Sequence, residues 1–227
     1  MIRKKWCGIL NSRQDQFKVI EPKFIKGLEA AHAEITDIED EYSLKAACIS
    51  DCSIENKTAA HVSFEEVIFK NVDFKAVALN LVELTDARFD NCDLSNVDFS
   101  GAIIHRTEFI NCKLVGLKLN DATLQNVYME GCNGKFLLMS YARMKRVILK
   151  NNIFESSSFQ NSSFEKVQFR GCNLSLSQMS GTSLSGIDLS SCNLEGLGIQ
   201  LKDLEGAIVS PLQAIELSKL LGLVVKE

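Results

Sequence analysis

From Leu44 to Val209 a large apolar residue returns at every fifth position, with no insertion or deletion. Of the 34 positions on this register only Ala59 and Gly134 are not large and apolar, and ten of the 13 phenylalanines fall on it. The stretch 87–102, ARFDNCDLSNVDFSGA, shows the unit. Phe89, Leu94 and Phe99 are the large residues, Ala87, Cys92 and Val97 stand two positions before them, and polar residues fill most of the rest. A helix repeats at about 3.6 residues and a strand at about 2, so a spacing of five belongs to neither. In an extended chain, residues two apart face the same side. Each pentapeptide therefore reads as a three-residue strand with one small and one large inward side chain, followed by a two-residue turn. Short strands that keep turning the same way make an all-β solenoid whose coils stack as parallel strands.

The cysteines set the size of the coil. Cys52, Cys92, Cys112, Cys132, Cys172 and Cys192 lie on one series spaced by 20, with Val72 and Asn152 in its remaining places. Twenty residues is four pentapeptides, so the coil is predicted to be four-sided. The residues just before this series are Asp51, Asn71, Asn91, Asn111, Gly131, Asn151, Gly171 and Ser191. Asn and Gly tolerate positive φ best, which points to one corner with a left-handed backbone. From residue 44 to 209 about eight coils are expected, a rod of about 40 Å at about 4.8 Å per coil. Proline would remove a ladder donor, and the two prolines, Pro22 and Pro211, bracket the repeat without entering it.

Three regions follow: a non-repeat N-terminal capping segment over 1–40, the β-helix over 41–210, and a C-terminal helix and strand over 211–227. Open ends of a solenoid need caps. At the C-terminus, Ser210 is a suitable N-cap, Pro211 fits the first helical turn and Gly222 ends the helix. LGLVV then reads as a short strand. The N-terminal segment is expected to hold a strand near 5–10 and a helix near 22–35. Its start, MIRKKWCGIL, is basic, but the apolar stretch breaks at Asn11-Ser12-Arg13 before it resembles a secretory signal. No run of apolar residues is long enough to span a membrane. A cytoplasmic protein with no membrane partner is expected, and a formal charge of -4 does not point to direct nucleic-acid binding.

Signals for chemistry are weak. Zinc sites need close Cys or His pairs with companions; the nearest pair, Cys48 and Cys52, has none, and His32, His61 and His105 are scattered. The thiols read as small buried fillers of a tight corner. There is no Gly-rich phosphate loop and no G-x-S-x-G elbow, and the period is not the six of hexapeptide acyltransferases. No enzyme activity, no cofactor and no metal is expected.

The outward positions are mixed. Glu65, Glu66, Glu83 and Asp86 give way to His105, Arg106, Arg143, Lys145 and Arg146, then to Asp203 and Glu205. Asp73, Asp93 and Asp98 make an acidic side in only two or three coils, so no continuous acidic stripe appears. One cluster stands out: Tyr128, Phe136, Leu138, Tyr141, Ile148 and Ile153, with the basic Arg143, Lys145 and Arg146 among them. Such a cluster marks a candidate partner surface. The alternative is a local bulge in which Phe136 folds inward to fill the core site that Gly134 leaves empty.

The pattern in CDLSNVDFSGA resembles that of the pentapeptide repeat proteins, which implies a right-handed quadrilateral β-helix. The C-terminal stretch DLEGAIVSPLQAIELSKLLGLVV is similar to the end of the Qnr and MfpA group, where a helix and a terminal strand form a homodimer. The resemblance implies a homodimer through Leu212, Ile215, Leu220, Leu221, Leu223 and Val224. It further implies a DNA mimic that binds DNA gyrase or topoisomerase IV and protects it from fluoroquinolones. The unbroken register leaves no room for the loops that many Qnr proteins carry, and the N-terminal segment is longer than is usual in that group. The alternative is a general protein-interaction scaffold.

Overall fold

A computed structural model describes residues 17–28, 35 and 37–226. The pentapeptide register becomes a four-sided β-solenoid. Its sides are named here by their inward centres: the first side carries Leu44, Phe64 and Leu84, the second Ile49, Phe69 and Phe89, the third Ile54, Phe74 and Leu94, the fourth Ala59, Leu79 and Phe99, and so on every 20 residues.

Strands β1 (Ser43–Glu55), β3 (Ser63–Lys75), β5 (Glu83–Asp90), β6 (Ile103–Ile110), β7 (Thr123–Glu130), β8 (Arg143–Lys150) and β9 (Ser163–Arg170) form one parallel sheet in that order. The register step is 20 throughout, as in Leu44↔Phe64, Phe64↔Leu84 and Leu84↔Ile104. Each strand bends around the corner between the first and second sides. From Ser43 to Ser163 the ladder makes about six turns, and beyond Arg170 the winding continues through isolated bridges such as Asn173↔Asn193 and Asp188↔Ile208. On the fourth side β2 (Thr58–Ala60) pairs with β4 (Ala78–Asn80). Later coils hold their third and fourth sides by single bridges and tight turns, for example Val97 N–H to the Leu94 carbonyl (3.2 Å) and Ala102 N–H to Phe99 (3.1 Å).

The corners differ from the sequence expectation. Positive φ occurs at all four, not one: Ala46, Asp51, Asn56 and His61 in the first coil alone have φ of 54, 54, 56 and 54°. Three extended residues must be redirected every fifth position, and a left-handed residue does this at each turn. Asn and Gly merely mark the corner where the sequence conforms most closely to that need.

Inside, the ladders are buried. Phe69, Phe89 and Phe109 stack face to face at 4.7 and 4.9 Å between centroids. The thiols of Cys92, Cys112 and Cys132 donate to the carbonyls of Phe69, Phe89 and Phe109 at 3.4 Å, and Cys172 donates to Leu149 at 3.3 Å. Asn152 takes the same place in its coil. Its Nδ2 donates to the Met129 carbonyl (2.9 Å) and its Oδ1 accepts from Cys132 N–H (2.8 Å). In these five coils the series places a donor that reaches one backbone oxygen, while Val72 fills the same place without one. Cys52, on the same series in the first coil, is exposed. Gly134 leaves no vacancy and causes no inward fold of Phe136. The Phe154 ring of the next coil lies over it, 2.8 Å from where a Cβ would stand.

At the N-terminal end Ile38 is buried against the core and Tyr42 meets Phe64 edge-on at 6.5 Å. At the other end α1 (Pro211–Ser218) is capped by Ser210, with Gln213 completing a capping box. Gln213 Nε2 also donates to the carbonyls of Leu189 and Cys192 (2.8 and 2.6 Å), which pins the helix to the last coil. The expected strand over LGLVV does not form: a strand needs a neighbour to pair with, and none lies beside it in a single chain. The expected helix near 22–35 is absent from 22–27, where the chain runs without regular structure to a turn at Lys26–Gly27; the rest of it, and the strand expected near 5–10, lie outside or mostly outside the described residues.

Candidate partner-binding surfaces

Residues 17–28 lie along the outside of the rod. Phe17 borders a hollow with Phe164, Val167 and Phe169 in the seventh coil. Ile20 N–H donates to Asn126 Oδ1 (3.4 Å) and Lys23 N–H donates to Asp86 Oδ1 (2.9 Å). Phe24 lies under the Arg88 guanidinium, 5.5 Å from its ring centroid, and Leu28 is buried with Cys48 and Ile68 of the first two coils. The segment therefore straps the first and second sides along most of the rod. Asp86 and Asn126, corner residues between those sides, are almost wholly buried beneath it. Arg106 clamps Asp86 through Nε and Nη2 at 2.6 and 2.5 Å. Burial works to raise the Asp86 carboxyl, but the Arg106 and Lys23 hydrogen bonds outweigh it and hold the group below the usual carboxylate range. Burial, followed by the Arg106 charge, lowers His105.

The strap accounts for two of the nine residues singled out as a partner surface. Tyr128 and Ile148 sit on the second side and line a hollow with Phe17, Lys18, Val19 and Glu21. Ile148 is buried, and the Tyr128 hydroxyl donates to Glu130 (2.7 Å). The remaining seven do not form one patch. Arg143, Lys145 and Arg146 occupy the first side, where Lys145 pairs with Glu165 at 2.9 Å. Ile153 stands alone on the third side.

Phe136, Leu138 and Tyr141 do come together. They occupy one corner, the middle and the next corner of the fourth side in a single coil, and Phe136 and Tyr141 are 56% and 59% exposed. Both aromatic residues are left-handed, with φ of 59 and 61°. Two other apolar corner residues, Leu81 and Leu176, rest over Gly101 and Gly196 of the next coil. Phe136 is followed at that level by Ser156 and Tyr141 by Asn161, so neither has a glycine to fold onto.

The residues expected to pair two chains, Leu212, Ile215, Leu220, Leu221, Leu223 and Val224, are all exposed. Leu217 instead turns inward and packs on the last coil.

The fold is thus a five-residue repeat wound 20 residues to the coil, and residues 102–179 match the family model described as "Pentapeptide repeat region". Over those residues the chain is similar to the pentapeptide repeat proteins. A relative, the uncharacterized protein YisX of Bacillus subtilis (strain 168), is 34% identical over 132 residues, which is 58% of this chain and 62% of the relative, less than two thirds of its length. Among solved structures, trypsin-treated QnrB1, titled a plasmid-mediated fluoroquinolone resistance protein, is similar at TM-score 0.43 and 19% identity, over 83% of this chain and 99% of that one. HetL of the cyanobacterium Nostoc sp. strain PCC 7120, titled a pentapeptide repeat protein involved in heterocyst differentiation regulation, is similar at TM-score 0.39 and 16% identity, over 75% and 90%. No helix among the described residues is long and apolar enough to cross a membrane.

Pentapeptide coils bring residue n beside residue n+20, and the surface charge follows that rule. Among the described residues, ten of the twelve ion pairs join partners 20 apart, including Lys113–Asp93 (2.8 Å), Lys118–Asp98 (3.1 Å) and Lys150–Glu130 (2.6 Å). Of the carboxylates that looked like a short acidic side in sequence, Asp93 and Asp98 are therefore matched one coil away, an arrangement invisible until the 20-residue step is laid out, and Asp73 pairs with Lys75 in its own coil (3.2 Å). The thiol ladder is buried in the same way. Neighbouring thiols and burial push Cys92 up and Cys112 to about 12, which suits hydrogen-bond donors at those two places, whereas the hydrogen bonds with Cys112 and Cys172 lower Cys132 and Cys192. Among the described residues no group of three or more His, Cys, Asp and Glu side chains is placed to hold a metal ion.

Proposed function

We propose that this protein acts through its surface, as a cytoplasmic scaffold that binds a protein partner, and that two chains pair through 211–226. The fourth-side trio carries the reading. A left-handed corner favours Gly, Asn or Asp, and holding a bulky side chain there costs about 1–3 kcal/mol. Phe136 and Tyr141 occupy such corners while staying more than half exposed, so their apolar area is not used in the fold. Aromatic side chains flanking a leucine are what an interface core uses. Photo-crosslinking in cells from a benzoylphenylalanine placed at position 138 tests it. A discrete cross-linked product that disappears in the F136S/Y141S double variant is expected; the same product with and without the two aromatics would sink the reading.

The second reading is competition with DNA for a type II topoisomerase. The exposed apolar helix and tail at the end of the rod favour it, because they suit the end-to-end dimer of the Qnr and MfpA group. The cross-coil ion pairs weigh against it, because matched carboxylates do not present a phosphate-like stripe. Gyrase supercoiling and cleavage with ciprofloxacin, at increasing amounts of this protein, separates the two. Rescue from cleavage at near-stoichiometric ratios supports mimicry, and no rescue leaves the scaffold. Light scattering tests the dimer: a dimer that becomes a soluble monomer on L220D/L221D is expected, and an unaltered chain already monomeric would refute the pairing.

A further inference from the structure

The strap is attached by a different rule from the rest of the molecule. Among the described residues no backbone-to-backbone hydrogen bond joins 17–28 to the rod; its two backbone bonds go to side chains, Asn126 and Asp86. These acceptors occupy the same corner two coils apart, a separation of about 10 Å at the spacing of stacked strands. Ile20 and Lys23 are three residues apart, and three residues of extended chain also span about 10 Å. An extended peptide running along the rod axis thus meets fixed acceptors in step with its own backbone. Arg106 and His105 lie between the two acceptors, and Arg106 holds the Asp86 carboxylate in place. The side-chain contacts are spaced out: Phe17 in its hollow, Phe24 on Arg88, Leu28 against Cys48 and Ile68, while Ile20 and Ile25 are about half exposed. Backbone donors read by fixed acceptors, with anchors at intervals, is a mode by which domains bind extended peptides.

We propose that the groove over the first and second sides is a docking site for an extended peptide segment of a partner protein. That segment carries large apolar residues at the spacing of Phe17, Phe24 and Leu28, and residues 17–28 fill the groove until it arrives. The rod supplies outward Cys48 and Ile68 at one end and Tyr128 and Ile148 further along, two apolar pairs separated by the Arg88–Glu108 ion pair, and solvent-facing positions of a repeat do not need such pairs. The occupant now present shows the chemistry the groove accepts. Tethering gives the strap a local concentration on the order of mM, so a competing segment must be present near its target or bind more tightly. The site is separate from the fourth-side surface and the C-terminal pair, and its test does not depend on either.

The test uses full-length protein and a fluorescent synthetic peptide of residues 17–28. In the F17S/F24S/L28S variant the strap loses its anchors while the core ladders are untouched. Fluorescence anisotropy is expected to show one peptide bound per variant chain, at least tenfold more tightly than by the unaltered chain, and several-fold more weakly once Asp86→Ala is added. Equal binding to the two chains, or none to the variant, would overturn the proposal. Hydrogen exchange of the unaltered chain guards against a misfolded variant. The amides of Ile20 and Lys23 are expected to exchange at least a hundredfold faster than those of β7. Exchange of all of them at one common rate would make the strap a fixed part of the fold and end the proposal.

Discussion

The strapped sides and the bare sides of this rod are built from one repeat and differ in what faces outward. Inward, the second side stacks Phe69, Phe89 and Phe109 and the fourth side places Leu79, Phe99 and Leu119, all fully or almost fully buried. Outward, the second side carries Cys48, Ile68, Tyr128 and Ile148 beneath the N-terminal segment. At the same level the third and fourth sides carry Asp93 and Asp98 with their lysine partners. Inward residues therefore decide that the chain winds, and they do so alike on every side. Outward residues decide which side is covered, and by what.

The largest predicted effect concerns the shared part. Phe89→Ala on the strapped side and Phe99→Ala on a bare side should each cost about 3–5 kcal/mol, the range for emptying a buried aromatic site. Urea unfolding followed by circular dichroism measures both. A much smaller loss for one of them would mean that the core is not indifferent to side, and the comparison would break there.

A middle-sized effect concerns the corner beneath the strap. Arg106→Met leaves the Asp86 carboxylate, 8% exposed at its side chain, without its bidentate partner. Leaving a buried acceptor unsatisfied costs about 1–3 kcal/mol, and the strap should loosen because Lys23 depends on the same carboxylate. Acid tests the same contact. The Asp86 carboxyl is held below its ordinary value. Its contribution is therefore complete above the unfolded-state value near about 4 and is lost as pH falls below that through the folded value. Strap amides are expected to lose protection from exchange in that window while the ladder amides of β7 keep theirs. Simultaneous loss would show that the strap and the coils open as one unit.

The winding was legible because its signal is repeated: a register that holds from Leu44 to Val209 leaves no other period, and the cysteine series sets the coil at four sides. The corners were half legible. Asn and Gly flagged one of them, but Ala46 and His61 adopt the same left-handed backbone, and nothing in those residue types announces it. The strap was not legible as an element, since twelve residues without periodicity carry no signal of where they will lie. Its trace was on the rod: Tyr128 and Ile148 stood out as apolar in outward positions, and Cys48 and Ile68, 20 residues apart, continue the same side. Reading outward residues along the 20-residue series, in addition to reading them along the chain, would have joined Cys48 to Ile68 and Tyr128 to Ile148, on either side of Arg88 and Glu108, and separated all four from Phe136, Leu138 and Tyr141. The tail strand was illegible for a different reason, because pairing partners for LGLVV are not supplied by a single chain.

The smallest effect is the sharpest test of the difference between sides. Lys113–Asp93 resembles Arg106–Asp86 in its step of 20 residues, but its partners are 56% and 34% exposed at their side chains. Burial works to raise the Asp93 carboxyl, but the hydrogen bonds from Lys113 and Ser95 together outweigh it and hold the group below the ordinary carboxylate range. Water replaces the lysine readily at such a site, so Lys113→Met should cost no more than about 1 kcal/mol, and the loss should shrink further in high salt. Arg106→Met, under its cover, should keep most of its effect in the same salt. The two variants measured side by side in low and high salt therefore report whether the strap, and not the 20-residue pairing, makes an ion pair count. Equal losses with equal salt dependence would mean that the covered corner is as wet as the open one, and that the strap shields nothing.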